Sequence, residues 1–306
     1  MHLTRSRAAV LSAVSAVLLA IAIIDAPAQG NFDDVVIKTH HVAGNVHMLE
    51  GSGGNIGVSA GEDGILIVDD QFKPLAGKIR AALQGIKKGD LRFVLNTHFH
   101  GDHVGGNEVF GRDATIVAHD NVRRRLSTRT ESSRGTREPA PKEAWPVITF
   151  DHSVSIHFNG ERIEVLHVPS GHTDGDSIIF FTGSNVVHMG DQMFSGLFPF
   201  VDTEGGGSLK GYTDNVAAVI ARVPDDVKVI PGHGPISTIK ELKEFHGMLI
   251  ETAAIVEKKI KAGATLDTIK AEGLPGWESW SWQFISTERW IESLHASLTL
   301  SAAAGK

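Results

Sequence analysis

The stretch Phe93-Val94-Leu95-Asn96-Thr97-His98-Phe99-His100-Gly101-Asp102-His103 decides what kind of fold this 306-residue chain adopts. Its first part is a short apolar run, which is typical of a buried strand. Its last six residues carry three imidazoles and one carboxylate, a density of ionisable groups that packing alone does not require. The sequence contains no Cys, so thiolate metal sites, a Cys nucleophile and a disulfide framework are excluded. Any metal must therefore be held by His, Asp or Glu.

The spacing within this stretch predicts two neighbouring metal positions. His98 and His100 are two residues apart, so both side chains can project to the same side where the strand ends. Gly101 lets the backbone turn, which directs Asp102 and His103 to an adjacent point.

Three later segments have the same form, an apolar strand that ends in Gly beside a ligand-type residue. They are Gly171-His172-Thr173, Gly190-Asp191 and Pro231-Gly232-His233-Gly234. Each of them would deliver one further ligand to the edge of a sheet.

In this order and at these spacings, the candidate ligands resemble the full ligand set of the metallo-β-lactamase superfamily of hydrolases, over essentially the whole mature chain. The resemblance implies a four-layer αβ/βα sandwich of the α/β class, with the metal site at one edge of the sheets. It also implies that two metals are bound and share one carboxylate. The implied ligands are His98, His100 and His172 for the first metal, Asp102, His103 and His233 for the second, and Asp191 as the bridge.

The remaining pattern agrees with α/β layering. Continuous apolar strands imply a sheet that is covered on both faces, which disfavours an all-β sandwich. Residues 51–55 are expected to form a hairpin turn, and residues 127–146 a polar surface loop between two halves. Strands are predicted at 65–68, 93–95, 115–117, 163–166, 178–181, 186–187 and 227–230, and helices at 75–83, 209–222 and 239–259. Thr238 and Glu241 form a capping-box pattern at the start of the last helix.

The N-terminal residues have the form of an export signal. Arg5 and Arg7 precede the uncharged run 8–24, and Ala26-Pro27-Ala28 has the small-x-small form of a cleavage site. We expect residues 1–28 to be a signal peptide cleaved after Ala28, with an uncleaved anchor helix as the alternative. Residues 29–306 are then one domain with pseudo-halves of about 31–146 and 147–306. This domain is expected in the periplasm or outside the cell, without stable membrane insertion.

Composition and charge narrow the class of partner. A hydrophobic fraction of 42% with 21% charged residues excludes a disordered chain. The formal net charge of −7 provides no electrostatic footprint for nucleic acid. The expected partner is a small-molecule substrate.

The ligand types also predict a mechanism. A divalent metal lowers the pKa of a bound water from above 15 to about 7, which produces hydroxide at neutral pH without a protein nucleophile. Asp102 would orient that water or hydroxide, so Asp102→Asn is expected to remove most activity while it leaves the first site largely intact. Zn²⁺, two per chain, suits the His ligands, and a thiolate-free site with two Asp could also accept Fe or Mn.

The substrate is less sharply defined than the chemistry. An exported zinc hydrolase that opens a cyclic amide or ester suggests a β-lactam as the first choice. However, Asp191 stands where one branch of zinc β-lactamases has Cys and the other typically has Ser. A bridging Asp is instead similar to glyoxalase II and the lactonases, so a lactonase or thioesterase is the alternative. A non-catalytic metal-binding protein is disfavoured because the ligand set is complete.

Five residues are candidates for the substrate pocket. Phe194, Phe198 and Phe200 follow Asp191 closely and could line an apolar wall, although core packing explains them equally well. Gly53 and Asn55 lie in a turn that resembles the substrate-covering hairpin of the superfamily. Four C-terminal tryptophans are expected in the core or an interface: Trp277, Trp280, Trp282 and Trp290.

Overall fold

The computed structural model describes residues 32–133 and 135–304, which belong to one compact unit. The predicted signal peptide lies outside the described residues. Within this part of the chain, no helix combines the length and the apolarity needed to cross a membrane.

The strands form two large sheets and one small hairpin. The strands are β1 (Lys38–Ala43), β2 (Val46–Glu50), β3 (Ile56–Gly61), β4 (Gly64–Val68), β5 (Leu91–Leu95), β6 (Thr115–His119), β7 (Thr130–Ser132), β8 (Gly135–Arg137), β9 (Ile148–Phe150), β10 (Ser153–Phe158), β11 (Glu161–His167), β12 (Ser177–Phe181), β13 (Val186–His188), β14 (Lys228–Ile230) and β15 (Ser237–Thr238). The first sheet has the order β1-β2-β3-β4-β5-β6-β9 and the second β10-β11-β12-β13-β14-β15. The β4, β5, β6 and β9 pairings are parallel, as is β13 with β14.

The helices flank these sheets. The helices are α1 (Ala76–Ile86), α2 (Gly101–Val104), α3 (Asn107–Phe110), α4 (Asp120–Ser127), α5 (Leu209–Arg222), α6 (Ile239–Lys261), α7 (Leu266–Glu272) and α8 (Thr287–Ala304). The capping box predicted for α6 is present: Thr238 Oγ1 accepts from the helix backbone, and Glu241 accepts from the Thr238 amide.

Alternating side chains of the central strands separate the layers. In β4, Leu66 and Val68 pack into the core between the two sheets, whereas Ile65 and Ile67 pack beneath α1. In β12, residues 179 and 181 face the intersheet core, whereas 178 and 180 face α5, α6 and α8. Both faces of these strands are buried, and each fully buried aliphatic side chain contributes about 1.5–3 kcal/mol. The layers are therefore helix, sheet, sheet, helix, as the αβ/βα expectation requires.

Most local predictions are confirmed by the strand and helix bounds. The turn at 51–55 joins the antiparallel strands β2 and β3. The predicted polar surface loop at 127–146 is mostly exposed, and it contains two elements that were not predicted, the β7–β8 hairpin and a short 3-10 turn at Lys142–Ala144. The hairpin pairs two polar three-residue strands, which produce too short an alternation to recognise in the sequence.

Candidate metal centre

The first ligand loop leaves the end of β5 and runs directly into α2. His98 and His100 precede this short helix, and Asp102 and His103 lie within it. The loop after β5 and the first residues of α2 therefore present four ligand-type side chains at the same edge of the first sheet.

Three loops of the second half bring one residue each to the same edge. His172 lies between β11 and β12, Asp191 follows β13, and His233 follows β14. Two glycines make the approach of these loops sterically feasible. A Cβ on Gly232 would lie 2.1 Å from Asp191 Oδ1, and Gly190 has a φ of +49° with its missing Cβ only 2.7 Å from Thr97 Cβ.

His98, His100 and His172 form what we call the three-histidine group. His100 Nδ1 lies 3.2 Å from His98 Nε2 and 2.9 Å from His172 Nε2. The predicted ligands of the first metal are thus brought together, with three ring nitrogens facing one point.

Asp102, His103 and His233 form the mixed group. His103 Nε2 and His233 Nε2 are 3.4 Å apart. Asp102 Oδ2 lies 3.6 Å from the former and 3.4 Å from the latter. The predicted ligands of the second metal are also adjacent in space.

Asp191 lies between the two groups and turns one carboxylate oxygen to each. Its Oδ2 is 3.8 Å from His98 Nε2 and 3.4 Å from His172 Nε2. Its Oδ1 is 3.1 Å from His103 Nε2 and 3.4 Å from His233 Nε2. The structure therefore places Asp191 where the resemblance put the bridging ligand.

The donor atoms fit divalent metals. Zinc ligands at 2.0–2.1 Å in a tetrahedral arrangement lie about 3.3 Å from one another. The separations within both groups scatter around that value, and the ligand atoms of each group lie within 4.8 Å of one another. Asp191 Oδ1 is buried and makes no hydrogen bond of normal geometry, which is costly unless a cation or the protonated rings of His103 and His233 satisfy it. The side chains present thus fit a two-metal centre.

Outer hydrogen bonds fix the tautomers of the imidazoles. His172 Nδ1 donates to the Phe200 carbonyl at 2.7 Å, and His103 Nδ1 donates to Asp69 Oδ2 at 2.7 Å. Thr97 Oγ1 donates to Asp69 Oδ2, so it can accept from His98 Nδ1 at 3.0 Å. These bonds leave the Nε2 lone pairs directed inward, which is the arrangement that metal ligation requires.

Two carboxylates behind the ligands were missed by the sequence analysis. Asp202 Oδ2 accepts from His100 Nε2 at 2.8 Å, which leaves His100 Nδ1 free to face the group. Asp69 accepts hydrogen bonds from His103 and from Thr97 behind the mixed group. Its φ is +64°, a conformation that is uncommon for a residue with a side chain. Asp69 could have been found, because it follows an apolar strand as Asp191 does, whereas nothing local marks Asp202.

The two groups differ in protonation. Burial lowers the pKa of His98 well below its usual value and that of His172 to about 4. Burial also opposes the charge on His233, but Asp191 and Asp102 outweigh it and raise its pKa to about 9. The pKa of His103 is also raised well above its usual value, because the same two carboxylates outweigh the effect of burial there. Protons therefore occupy the mixed group near neutral pH when no metal is bound.

Both carboxyl ligands are ionised. Burial would raise the pKa of Asp191, but the imidazoles of His103 and His233 outweigh burial and hold it well below its usual value. The pKa of Asp102 is also held below its usual range, because His103 and His233 outweigh the effect of burial. Asp191 is further fixed from behind by Tyr212, whose hydroxyl donates to the Asp191 carbonyl.

The open side of the centre is defined by the three ligands that reach solvent. The side chains of Asp102, His100 and His233 are 28%, 16% and 14% exposed, whereas the other ligand side chains are almost completely buried. A substrate must therefore approach from this side.

The aromatic pocket candidates separate into different environments. Phe194 stacks on the His233 ring at a centroid distance of 4.8 Å, and Phe200 lies 5.9 Å from the rings of His100 and His172. Phe198 does not line the centre, which corrects that expectation. It is fully buried and stacks on Trp290 in the core of the second half.

The turn candidates also have different roles. Gly53 lies against the ligand loop, because a Cβ there would be 2.9 Å from the Asp102 carbonyl oxygen. Asn55 is buried, and its amide donates to the carbonyls of Pro231 and Gly234 at 3.0 and 2.8 Å. Asn55 therefore holds the His233 loop, and its amide nitrogen is not directed at a pocket, contrary to expectation.

Trp282 is the tryptophan whose position differs most from expectation. Trp280 and Trp290 are core residues, as predicted. The Trp282 ring instead lies 6.0 Å from that of His233, and it contacts Phe284 at 5.6 Å. The density of Trp in this segment was the available signal, but it did not distinguish the core from the site.

The fold, the ligand geometry and the sequence agree on one family. Residues 42–233 match the metallo-beta-lactamase superfamily, and this range is more than half of the chain and contains every candidate ligand. The chain belongs to the metallo-β-lactamase superfamily, which confirms the resemblance seen in the sequence.

Curated relatives narrow the comparison within this superfamily. The chain is 34% identical over 153 residues to a probable hydroxyacylglutathione hydrolase of Schizosaccharomyces pombe, covering 48% of this chain and 50% of that protein. It is 29% identical over 139 residues to a hydroxyacylglutathione hydrolase of Gloeobacter violaceus, covering 43% and 49%. The chain thus spans about half the length of these relatives.

Solved structures show the same fold at low identity. A metallo-beta-lactamase from Pontibacter korlensis superposes with a TM-score of 0.59 at 17% identity, covering 70% of this chain and 99% of that one. The sec-alkylsulfatase Pisa1 from Pseudomonas sp. gives a TM-score of 0.64 at 14% identity, covering 85% and 50%. These neighbours confirm the predicted architecture.

Proposed function

We propose that this protein is a metal-dependent hydrolase that cleaves a small-molecule thioester. The proposal is supported by the superfamily, by the two-group ligand geometry and by relatives named hydroxyacylglutathione hydrolase. It favours the thioesterase alternative of the sequence analysis over a β-lactam substrate.

The observation that carries the proposal is the shared carboxylate of Asp191. One oxygen faces the three-histidine group and the other faces the mixed group, at 3.1–3.8 Å from four imidazole nitrogens. A bridging Asp at this position is similar to glyoxalase II and the lactonases. The thiolate or hydroxyl expected at this position of zinc β-lactamases is absent, because residue 191 is Asp.

The protein's own groups prepare the centre for hydrolysis. When bound, the metals would lower the pKa of water and polarise a carbonyl oxygen. Asp102 is ionised and is the most exposed of the ligands, so its carboxylate can accept a hydrogen bond from a water that enters. His98 and His172 stay neutral at neutral pH, which keeps their inward nitrogens available as ligands.

The test compares three substrate classes on the full chain. We would measure kcat/KM for S-lactoylglutathione, γ-butyrolactone and a chromogenic cephalosporin, using zinc-loaded protein, chelator-treated protein and Asp102→Asn. We expect the thioester to have the highest value and chelation to abolish it. Asp102→Asn should lower it about 100-fold or more while metal remains in the three-histidine group.

Two results would overturn this proposal. Preferential turnover of the cephalosporin would return the β-lactam to first place. An absence of metal-dependent turnover on all three substrates would instead favour a non-catalytic metal-binding role.

We propose zinc, two ions per chain, as the native metal. Imidazole-rich sites suit zinc, although carboxylate and imidazole together also bind iron and manganese. Elemental analysis of the purified protein should give two zinc ions per chain. Iron or manganese at that ratio, with no activity after zinc loading, would replace zinc in the proposal.

We also propose that the protein is exported, because the first 28 residues have the charge, length and cleavage pattern of a signal peptide. After expression of the full chain in a bacterium, the N-terminus of the periplasmic protein should be Gln29. An uncleaved protein confined to the cytoplasm would refute export.

A further inference from the structure

Aromatic rings border the open side of the metal centre. Phe200 lies beside His100, and Trp282 lies beside His233, and these two ligands are among the three that reach solvent. Phe284 completes the border, with its ring 6.0 Å from Phe200 and 5.6 Å from Trp282. We call Phe200, Trp282 and Phe284 the aromatic wall.

Backbone hydrogen bonds hold this wall in place. Trp282 Nε1 donates to the Phe198 carbonyl at 2.9 Å, so the polar atom of the indole is already engaged. The Phe200 carbonyl accepts from His172, which ties the wall to a ligand. Arg289 Nη1 donates to the Phe284 carbonyl at 2.6 Å, and its guanidinium packs over the Phe284 ring at 5.3 Å.

Phe284 is the most exposed ring of the aromatic wall, because Phe200 and Trp282 are half-buried. Its surface is 40% exposed, and its ring contacts Phe200 and Trp282, which lie beside the partly exposed ligands His100 and His233. A ligand that covers this ring gains free energy, because apolar surface is removed from water. The wall offers apolar surface and π-faces for such a ligand.

We propose that the aromatic wall selects substrates that carry an apolar, ring-sized group beside the reacting carbonyl. The proposal rests on the proposed thioesterase function and names the substrate class within it. A small hydroxylated acyl group such as lactoyl would gain little from these rings, because their one polar hydrogen is already bonded to Phe198.

The test uses two series of thioesters on the zinc-loaded full chain. One series varies the acyl group, phenylacetyl against lactoyl, on a fixed small thiol. The other varies the thiol, benzyl mercaptan against glutathione, on a fixed acetyl group. We would compare wild type, Phe284→Ala and Phe284→Leu with Ile250→Ala, which removes a 48% exposed apolar side chain from α6 away from the centre.

We expect the aromatic member of at least one series to be preferred about tenfold or more in kcat/KM. Phe284→Ala should abolish most of that preference, Phe284→Leu should reduce it, and Ile250→Ala should leave it unchanged. The series that responds identifies which side of the thioester bond the wall contacts. Equal values for aromatic and polar members in both series, or a preference that survives both Phe284 variants, would overturn the proposal.

A binding measurement separates this inference from the proposed function. Calorimetry on the same proteins would compare phenylacetate with acetate, neither of which needs to react. If no thioester is hydrolysed, the proposed function fails, and the wall is judged on this measurement alone. Tighter binding of phenylacetate that Phe284→Ala removes would support the wall, and equal affinities would refute it.

Discussion

The three-histidine group and the mixed group lie a few ångströms apart and burial disfavours imidazole charge in both, yet their charge states differ. The first keeps His98 and His172 neutral, because burial there outweighs the single nearby oxygen of Asp191. The second keeps His103 and His233 protonated, because Asp102 and Asp191 both face them. The difference shows that the placement of carboxylates, and not burial by itself, sets the charge state of each group.

Removal of the carboxylate that both groups share should have the largest effect. Asp191→Asn keeps the shape of the side chain but loses the negative charge. We expect both groups to lose metal, and kcat/KM for the preferred substrate to fall by about 1000-fold, which corresponds to about 4 kcal/mol. Kinetics combined with metal analysis of the purified variant checks this. Loss of metal from the mixed group alone would show that Asp191 does not serve both.

A decrease in pH should have the next largest effect, because it should weaken metal binding more in the mixed group than in the three-histidine group. Metal must displace the protons of the mixed group, so its apparent affinity should fall as pH decreases below about 9, by about tenfold per pH unit for each proton displaced. His98 and His172 of the three-histidine group should have no proton to release above pH 6, because burial lowers the pKa of His98 well below its usual value and that of His172 to about 4, so the pH dependence there should be weaker. Competition with a chromophoric chelator from pH 6 to 9 measures both affinities, and equal slopes would contradict the assignment.

Asp202→Asn should affect the three-histidine group selectively. The variant weakens the acceptor that orients His100, so we expect about tenfold weaker metal binding there and an unchanged mixed group. Asp174→Asn is the matched control, since that carboxylate binds Arg125 instead of a ligand. Similar losses in the two variants, measured by the same chelator competition, would mean that Asp202 acts through general loop stability.

Thr238→Ala should have the smallest effect and leave both groups unchanged. It removes the capping box of α6, whose N-cap lies five residues beyond His233. We expect the free energy of unfolding to decrease by about 1 kcal/mol in urea denaturation. A change in metal affinity at either group would show that the His233 loop depends on this helix cap.

Local patterns made the fold and the ligands predictable. The buried strand at 65–68 and the Thr238–Glu241 capping box each follow from a few adjacent residues. The ligands were recognisable because four of them share one loop and the others follow Gly-flanked strand ends.

Long-range partners were not predictable in this way. Asp202 reaches His100 across 102 residues of sequence, and Asn55 holds a loop more than 170 residues away. Trp282 and Trp290 are chemically identical, but only packing places one beside His233 and the other in the core. Periodicity describes which face of an element is buried, and it does not identify the element that packs against it.

The distribution of ligands along the chain also has a consequence for biosynthesis. The loop at the end of β5 supplies its four ligands early, whereas Asp191 and His233 are translated only after most of both sheets. During synthesis from the N-terminus, the three-histidine group lacks its last member until His172 has emerged, and the mixed group is incomplete until His233 has emerged. A chain interrupted before residue 233 therefore lacks a complete second group, and stable retention of two metals would distinguish finished molecules from truncated ones.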